Sequence, residues 1–337
     1  MRVVQPRSTA GVVPRASGRC RRGKGLSRSA LRPPAQSSSR GWSVAASPTL
    51  SPTAQQLSFL LENESHLFPT AAEQHLAFLA ESAAAVTIAS PVSVLESRIG
   101  AVRAREACTA EVAHVLALQV QHRLASRAVT LLPSVPGVGH GAPQPGRATA
   151  ERLPALLQDE PGAVPALHEM QAHVEAIMPA SAPDTTLCRL DAVSGGRLYA
   201  GSIQFGYFVR SVFTSTQPLQ EPQLRLLAQN TRSFEAWVAV RSRTASLWRL
   251  DDAHAADDFS TGVTLAPSAA SSEFYTADGE ADDAMPSAST LLPLRPSALR
   301  DLMAEAVLWG WHLRGCEAAL EGDAKHAALL TPRSALG

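Results

Sequence analysis

Two stretches decide how this chain is read: Leu198-Tyr-Ala-Gly-Ser-Ile-Gln-Phe-Gly206-Tyr-Phe-Val-Arg210 and Leu302-Met-Ala-Glu-Ala-Val-Leu-Trp-Gly310-Trp-His-Leu-Arg314. Both read Leu-x-Ala-x-x-(Ile/Val)-x-(Phe/Trp)-Gly-(Tyr/Trp)-x-(Val/Leu)-Arg, at a constant offset of 104 residues. A second echo sets Val102-Arg103-Ala-Arg105-Glu-Ala107 against Val240-Arg241-Ser-Arg243-Thr-Ala245. Two motifs repeated in the same order indicate a duplicated unit with a shorter second copy. Each long stretch lacks internal Pro and has no alternating strand pattern, so each reads as a helix. A glycine inside a helix costs about 1 kcal/mol relative to alanine and calls for a compensating gain. Ser202 precedes Gly206 by four residues and Ala306 precedes Gly310 by four, which places a small-residue groove on one face of each helix. Phe205, Tyr207, Trp309 and Trp311 wall the groove, and Arg210 and Arg314 stand one turn beyond. Two readings follow: close packing of one helix on another, or a slot for a flat ligand whose anionic group the arginines hold. The paired Arg103/Arg105 and Arg241/Arg243 are candidates for a bidentate anion contact, or for ion pairs on a solvated face.

Outward from the motifs, helical patterns extend over most of the body. Leu57, Leu60, Leu61, Leu67 and Phe68 follow a cap at Ser51-Pro52-Thr53, and Pro69 opens a second helix carrying Leu76, Phe78 and Leu79. Residues 92–132 form the longest candidate, with a buried stripe of Val94, Leu95, Ile99, Val102, Val112, Val115, Leu116, Val120 and Leu124. Further helices are expected over 152–178, 194–213, 222–250 and 297–321. The expected class is all-α. A first helical unit spans 51–215 with a Pro/Gly loop at 133–150. A second, shorter unit spans 220–325, interrupted by a polar insert at 251–296, and a tail follows at 326–337.

The chain has 337 residues with 30 basic and 30 acidic side chains, yet charge is unevenly placed. Residues 1–40 hold nine Arg, Lys24 and no acid, and the first carboxylate is Glu62. The rest carries 20 basic against 30 acidic residues, which disfavours broad binding to a phosphate backbone and hence nucleic acid. An acid-free arm rich in Ser and Arg, without a continuous apolar core, has the composition of an organelle transit peptide, here 1–47 and directed to the plastid; the alternative is a disordered basic tail that stays attached and touches nucleic acid. No run approaches the roughly 18–20 apolar residues of a membrane span. Cys20, Cys108, Cys188 and Cys316 lack zinc or disulfide-scaffold spacing.

Chemical motifs are few. His168 and His173, and His114 and His122, do not have the four-residue spacing of a zinc helix, so no metal is assigned. Gly137-Val-Gly139-His-Gly141 follows no strand and is read as a turn. No GxSxG elbow occurs. Cys108 near Arg105 reads as packing, and Asp257-Asp258 and Asp282-Asp283 as solvating charge. No catalytic constellation and no cofactor motif is found.

The segments Phe205-Gly-Tyr-Phe-Val-Arg210 after Leu198-Tyr-Ala, Pro133-Ser-Val-Pro after a long helix, and Ser65-His-Leu-Phe-Pro-Thr-Ala resemble the UV-B-induced chloroplast protein family. The similarity runs with gaps through about 51–135, 152–213, 224–250 and 297–320. Trp309-Gly-Trp311 and the 251–296 insert depart from that pattern. The resemblance implies residence in the chloroplast stroma, a soluble helical protein, and no assigned catalysis. The expected function is therefore non-enzymatic: an adaptor or stress-linked regulator that binds other plastid proteins. The alternative is a carrier or enzyme for a small anionic plastid ligand held by the aromatic-Gly-Arg motifs.

Overall fold

A computed structural model of the chain describes residues 51–86, 94–132, 135, 149–160, 162–183, 185, 187–215, 231–250 and 291–332. The basic arm, most of the Pro/Gly loop, residues 216–230 and nearly all of the expected insert lie outside these residues. Eight α-helices account for most of what is described, and the class is all-α.

Helices α1 (Pro52–Asn63), α2 (Phe68–Val86) and α3 (Val94–Ser126) come first. The side chain of Ser51 caps α1 by accepting from Ala54 N, and Pro52 at the first position needs no hydrogen-bond partner. Where one helix was expected over 152–178 there are two, α4 (Thr149–Leu157) and α5 (Ala163–Ile177). The break falls at Gly162, whose φ of 75° is left-handed and cannot continue a helix. Strand β1 (Cys188–Leu190) then leads into α6 (Ala192–Phe213), capped by Asp191. Helix α7 (Phe234–Trp248) is capped by Ser233.

Strand β2 (Leu292–Leu294) pairs antiparallel with β1, Cys188 opposite Leu294 and Leu190 opposite Leu292. This corrects the expectation that the insert runs to 296, because Leu292 and Leu294 turn inward and are buried. The final helix α8 (Pro296–Gly322) starts one residue after a proline-compatible cap, and a 3-10 turn follows at Ala327–Leu329.

Helix α8 is buried on every side from Leu302 to Cys316, the expected state of a helix with no polar face. It contacts α3, α4, α5, α6 and α7, and one apolar core runs through residues of both expected units. Along α3 the stripe is buried only in its second half. Val112, Val115, Leu116, Val120 and Leu124 are buried, but Ile99 is 44% and Val102 56% exposed. Phe78 and Leu67 are likewise exposed, so their apolar pattern did not predict their side.

Candidate functional site

The two repeat helices meet at their glycines. A Cβ on Gly206 would collide with the carbonyl of Val307, and one on Gly310 would collide with the carbonyl of Ile203. Ile203 lies three residues before Gly206 and Val307 three before Gly310, so the contact is reciprocal. Tyr199 meets Glu305 at one end, and Arg210 reaches Trp311 at the other, which makes α6 and α8 parallel. The crossing thus has the local two-fold form of an interface between like surfaces. Small residues four apart let the backbones approach, as the sequence suggested, and the space expected for a flat ligand holds the other helix.

The aromatic and arginine side chains of the motifs are engaged around this crossing. Tyr207, Trp309 and Trp311 are buried. Phe205 is half-buried and stacks on His173, ring centroids 4.1 Å apart. On the same face of α6, one turn earlier, Ser202 Oγ lies 3.1 Å from His173 Nε2. Burial holds the His173 imidazole down at about 4, so it is neutral at pH 7.

Two buried carboxylates of α8 organise the polar interior. Glu305 Oε1 accepts from Tyr199 OH at 3.1 Å and from Arg243 Nη2 at 2.5 Å, while Arg243 Nε donates to Tyr199 OH at 3.1 Å. Arg243 Nη2 also donates to Leu132 O, and Glu305 Oε2 accepts from Leu132 N. This one cluster joins α6, α7, α8 and the segment after α3. Burial raises the Tyr199 hydroxyl pKa well above its ordinary value, keeping it a donor.

Glu317 is the centre of the second cluster. It accepts from Tyr207 OH, from Ser233 N at 3.0 Å, from Ser233 Oγ, and from Arg314 Nη1 at 2.8 Å. Arg314 Nη2 continues to Glu321 at 2.8 Å, and Arg232 N donates to Tyr207 OH. Each tyrosine of α6 therefore donates to a buried glutamate of α8, and each glutamate is balanced by one arginine. A third buried carboxylate, Glu235, accepts from Thr109 Oγ1 and Thr331 N and ties α3, α7 and the chain end.

Arg210 and Arg314, paired in the sequence reading, part company. Arg210 Nη2 lies 3.1 Å from Glu160 Oε2, its Nη1 donates to Trp311 O, and its guanidinium sits 5.0 Å from the Trp311 ring centre. Glu160 is held from its other side by Arg127 at 2.5 Å. The second echo is also split. Arg103 and Arg105 are exposed on the first half of α3, Arg241 lies 5.6 Å from the Trp237 ring centre, and Arg243 is turned into the core. Those four arginines do not converge on one place.

Glu160, Glu305, Glu317 and Glu235 were missed from sequence. A signal existed for one of them: Ala304-Glu305-Ala306 puts a carboxylate in a helix otherwise apolar on all sides, and such a group needs a cationic partner. Among the described residues no group of three or more His, Cys, Asp or Glu side chains is placed to hold a metal ion. No helix among them is long and apolar enough to cross a membrane.

Open features lie on the surface of the described residues. A groove of about 340 Å³ lies along the first half of α3, lined by Arg98, Ile99, Val102, Arg103 and Glu106. Every described side chain of that half, through Ala107, is exposed. A second depression of about 320 Å³ lies between α4, α5 and the start of α8, lined in part by Leu153, His168, Gln171, Glu175 and Arg300.

Comparison with known proteins gives no match to a protein-family model, a curated protein or a solved structure.

Proposed function

We propose that this chain is a non-enzymatic binding protein of the chloroplast stroma, an adaptor or stress-linked regulator that offers the first half of α3 to another protein. The observation that carries the reading is the exposed run through Ala107. Ile99 and Val102 stand open to solvent between Arg98, Arg103 and Glu106, an apolar centre with a charged rim. Contacts between proteins are commonly built that way. The interior supports a scaffold role: Arg243, Arg314, Tyr199 and Tyr207 are committed to Glu305 and Glu317. The resemblance to the UV-B-induced chloroplast proteins, and the acid-free arm, supply the compartment.

A carrier with its ligand in the aromatic-Gly-Arg motifs is the less favoured reading, because the glycine faces are filled and Arg314 is neutralised inside. Two measurements test the preferred one. Residues 1–47 fused to a fluorescent protein should carry it into the stroma. Protein recovered from plastids should show, by native mass, a second polypeptide that Ile99→Glu with Val102→Glu removes without changing the melting temperature. A bare chain, or a complex indifferent to both changes, contradicts the reading.

A further inference from the structure

The end of the bundle where α3 finishes carries more positive charge than its partners neutralise. Arg123 stands in the last turn of α3, and Arg127 follows in the turn directly after its end. Arg210 arrives from α6, and Gly315 leaves the room its guanidinium occupies, since a Cβ there would overlap it. Glu160, in the connection between α4 and α5, is gripped by Arg127 and Arg210 together, at 2.5 and 3.1 Å. Against the burial that would raise it, Arg210, then Arg127 and Arg123, hold this carboxyl below its ordinary range. Arg152 also reaches this end, but its donors go to the carbonyls of Arg127 and Ala128.

Two groups are left over. The Arg123 guanidinium makes no hydrogen bond or ion pair among the described residues, although its charge is felt by Glu160, His312 and Cys316. His312 has no exposed surface, and neither ring nitrogen has a hydrogen-bond partner. A buried ring with both nitrogens unsatisfied costs stability and calls for an explanation. Two guanidiniums grip one carboxylate, the charge of a third, Arg123, acts on the same group, and an imidazole is held neutral by burial and by the arginines.

We propose that Arg123, Arg127, Arg210 and His312 form a binding site for a phosphoryl group, free or as a monoester, and that Glu160 is the internal carboxylate occupying part of it. Planar guanidinium forks suit the several oxygens of a tetrahedral oxyanion better than a single carboxylate does. The neutral imidazole supplies one N–H to an oxygen. Glu160 lies in a connection rather than a helix, so it can give way to the incoming anion while α3, α6 and α8 stay in place.

The test uses the full chain, with inorganic phosphate and phosphoserine as probes and sodium chloride of equal ionic strength as the control. Binding is read by calorimetry and by the shift in melting temperature. The wild type should bind at least one probe, and Glu160→Gln should bind it at least tenfold more tightly because the competing carboxylate is gone. Arg123→Gln, which removes a guanidinium with no partner among the described residues, should keep the melting temperature in chloride and lose the binding at least tenfold. Tighter binding of phosphoserine would identify a monoester, and equal binding of both would identify free phosphate. The proposal is overturned if neither probe differs from chloride in the wild type and Glu160→Gln, or if binding survives Arg123→Gln unchanged.

Discussion

Gly206 and Gly310 occupy equivalent places in the two copies of the repeat, and each lies against the backbone of the other's helix, Gly206 on Val307 and Gly310 on Ile203. The second pair is also equivalent in the repeat, at the same offset of 104. The two helices of the duplicated motif therefore build one parallel crossing from two like halves. The polar clusters at Glu305 and Glu317 bracket it with hydrogen bonds from Tyr199 and Tyr207.

The Arg243–Glu305 pair is fully enclosed, so each partner depends on the other. Glu305→Leu alone leaves Arg243 and Tyr199 without their acceptor and should cost about 3–5 kcal/mol in urea unfolding. Adding Arg243→Met should recover part of that loss, because an apolar pair replaces two desolvated charges, while Tyr199 OH and the Leu132 backbone stay unpaired. A double variant no better than Glu305→Leu would mean that the two side chains act independently.

Acid should weaken the fold through its buried imidazoles. The rings of His173 and His312 are held down to about 4 and about 3, by burial first in both cases. In the unfolded chain both take up protons near about 6.5. Between these values the unfolded chain binds more protons, so stability present above about pH 6.5 is lost as pH falls through the folded values. Each such ring contributes at most ~1.4 kcal/mol per pH unit. His312→Leu should flatten the acid limb of stability between pH 6.5 and 4, measured by urea unfolding at each pH. An unchanged slope would show that His312 is protonated or exposed in the folded state.

The first half of α3 should be thermodynamically silent. Ile99→Ser and Val102→Ser should each change stability by less than about 0.5 kcal/mol, as for exposed positions generally. Gly100 meets nothing within 4 Å, so Gly100→Ala should stabilise α3 by up to about 1 kcal/mol. A larger loss at any of the three in thermal unfolding would mean that this half is packed.

The sequence carried the class and the place of the glycine crossing, because each of these is local, but not every helix bound: the helix expected over 222–250 begins at Phe234 and the one expected over 92–132 ends at Ser126. Apolar residues at helical spacing and small residues four apart are visible in a single chain. What it could not carry was long-range pairing. Arg210 finds Glu160 from the α4–α5 connection and Arg243 finds Glu305 from another helix, and no spacing announces either meeting. The echo around Val102 and Val240 shows the same limit. Val240 is buried and Val102 exposed, so similar hexapeptides occupy different environments once their neighbours are in place. The helix expected over 152–178 failed for a local reason that was legible, Pro161-Gly162 before the second half.

The most direct measurement compares two glycines of the same helix, α8, by urea unfolding. Gly322 has nothing within 4 Å of its added Cβ, whereas Gly310 faces the Ile203 carbonyl. Gly310→Ala should lose at least about 3 kcal/mol, the helix-propensity gain of about 1 kcal/mol being overwhelmed by the collision of two backbones. Gly322→Ala should hold or gain slightly. If Gly310→Ala were as stable as Gly322→Ala, the two motifs would not meet at their glycines, and the groove would be open to a ligand after all.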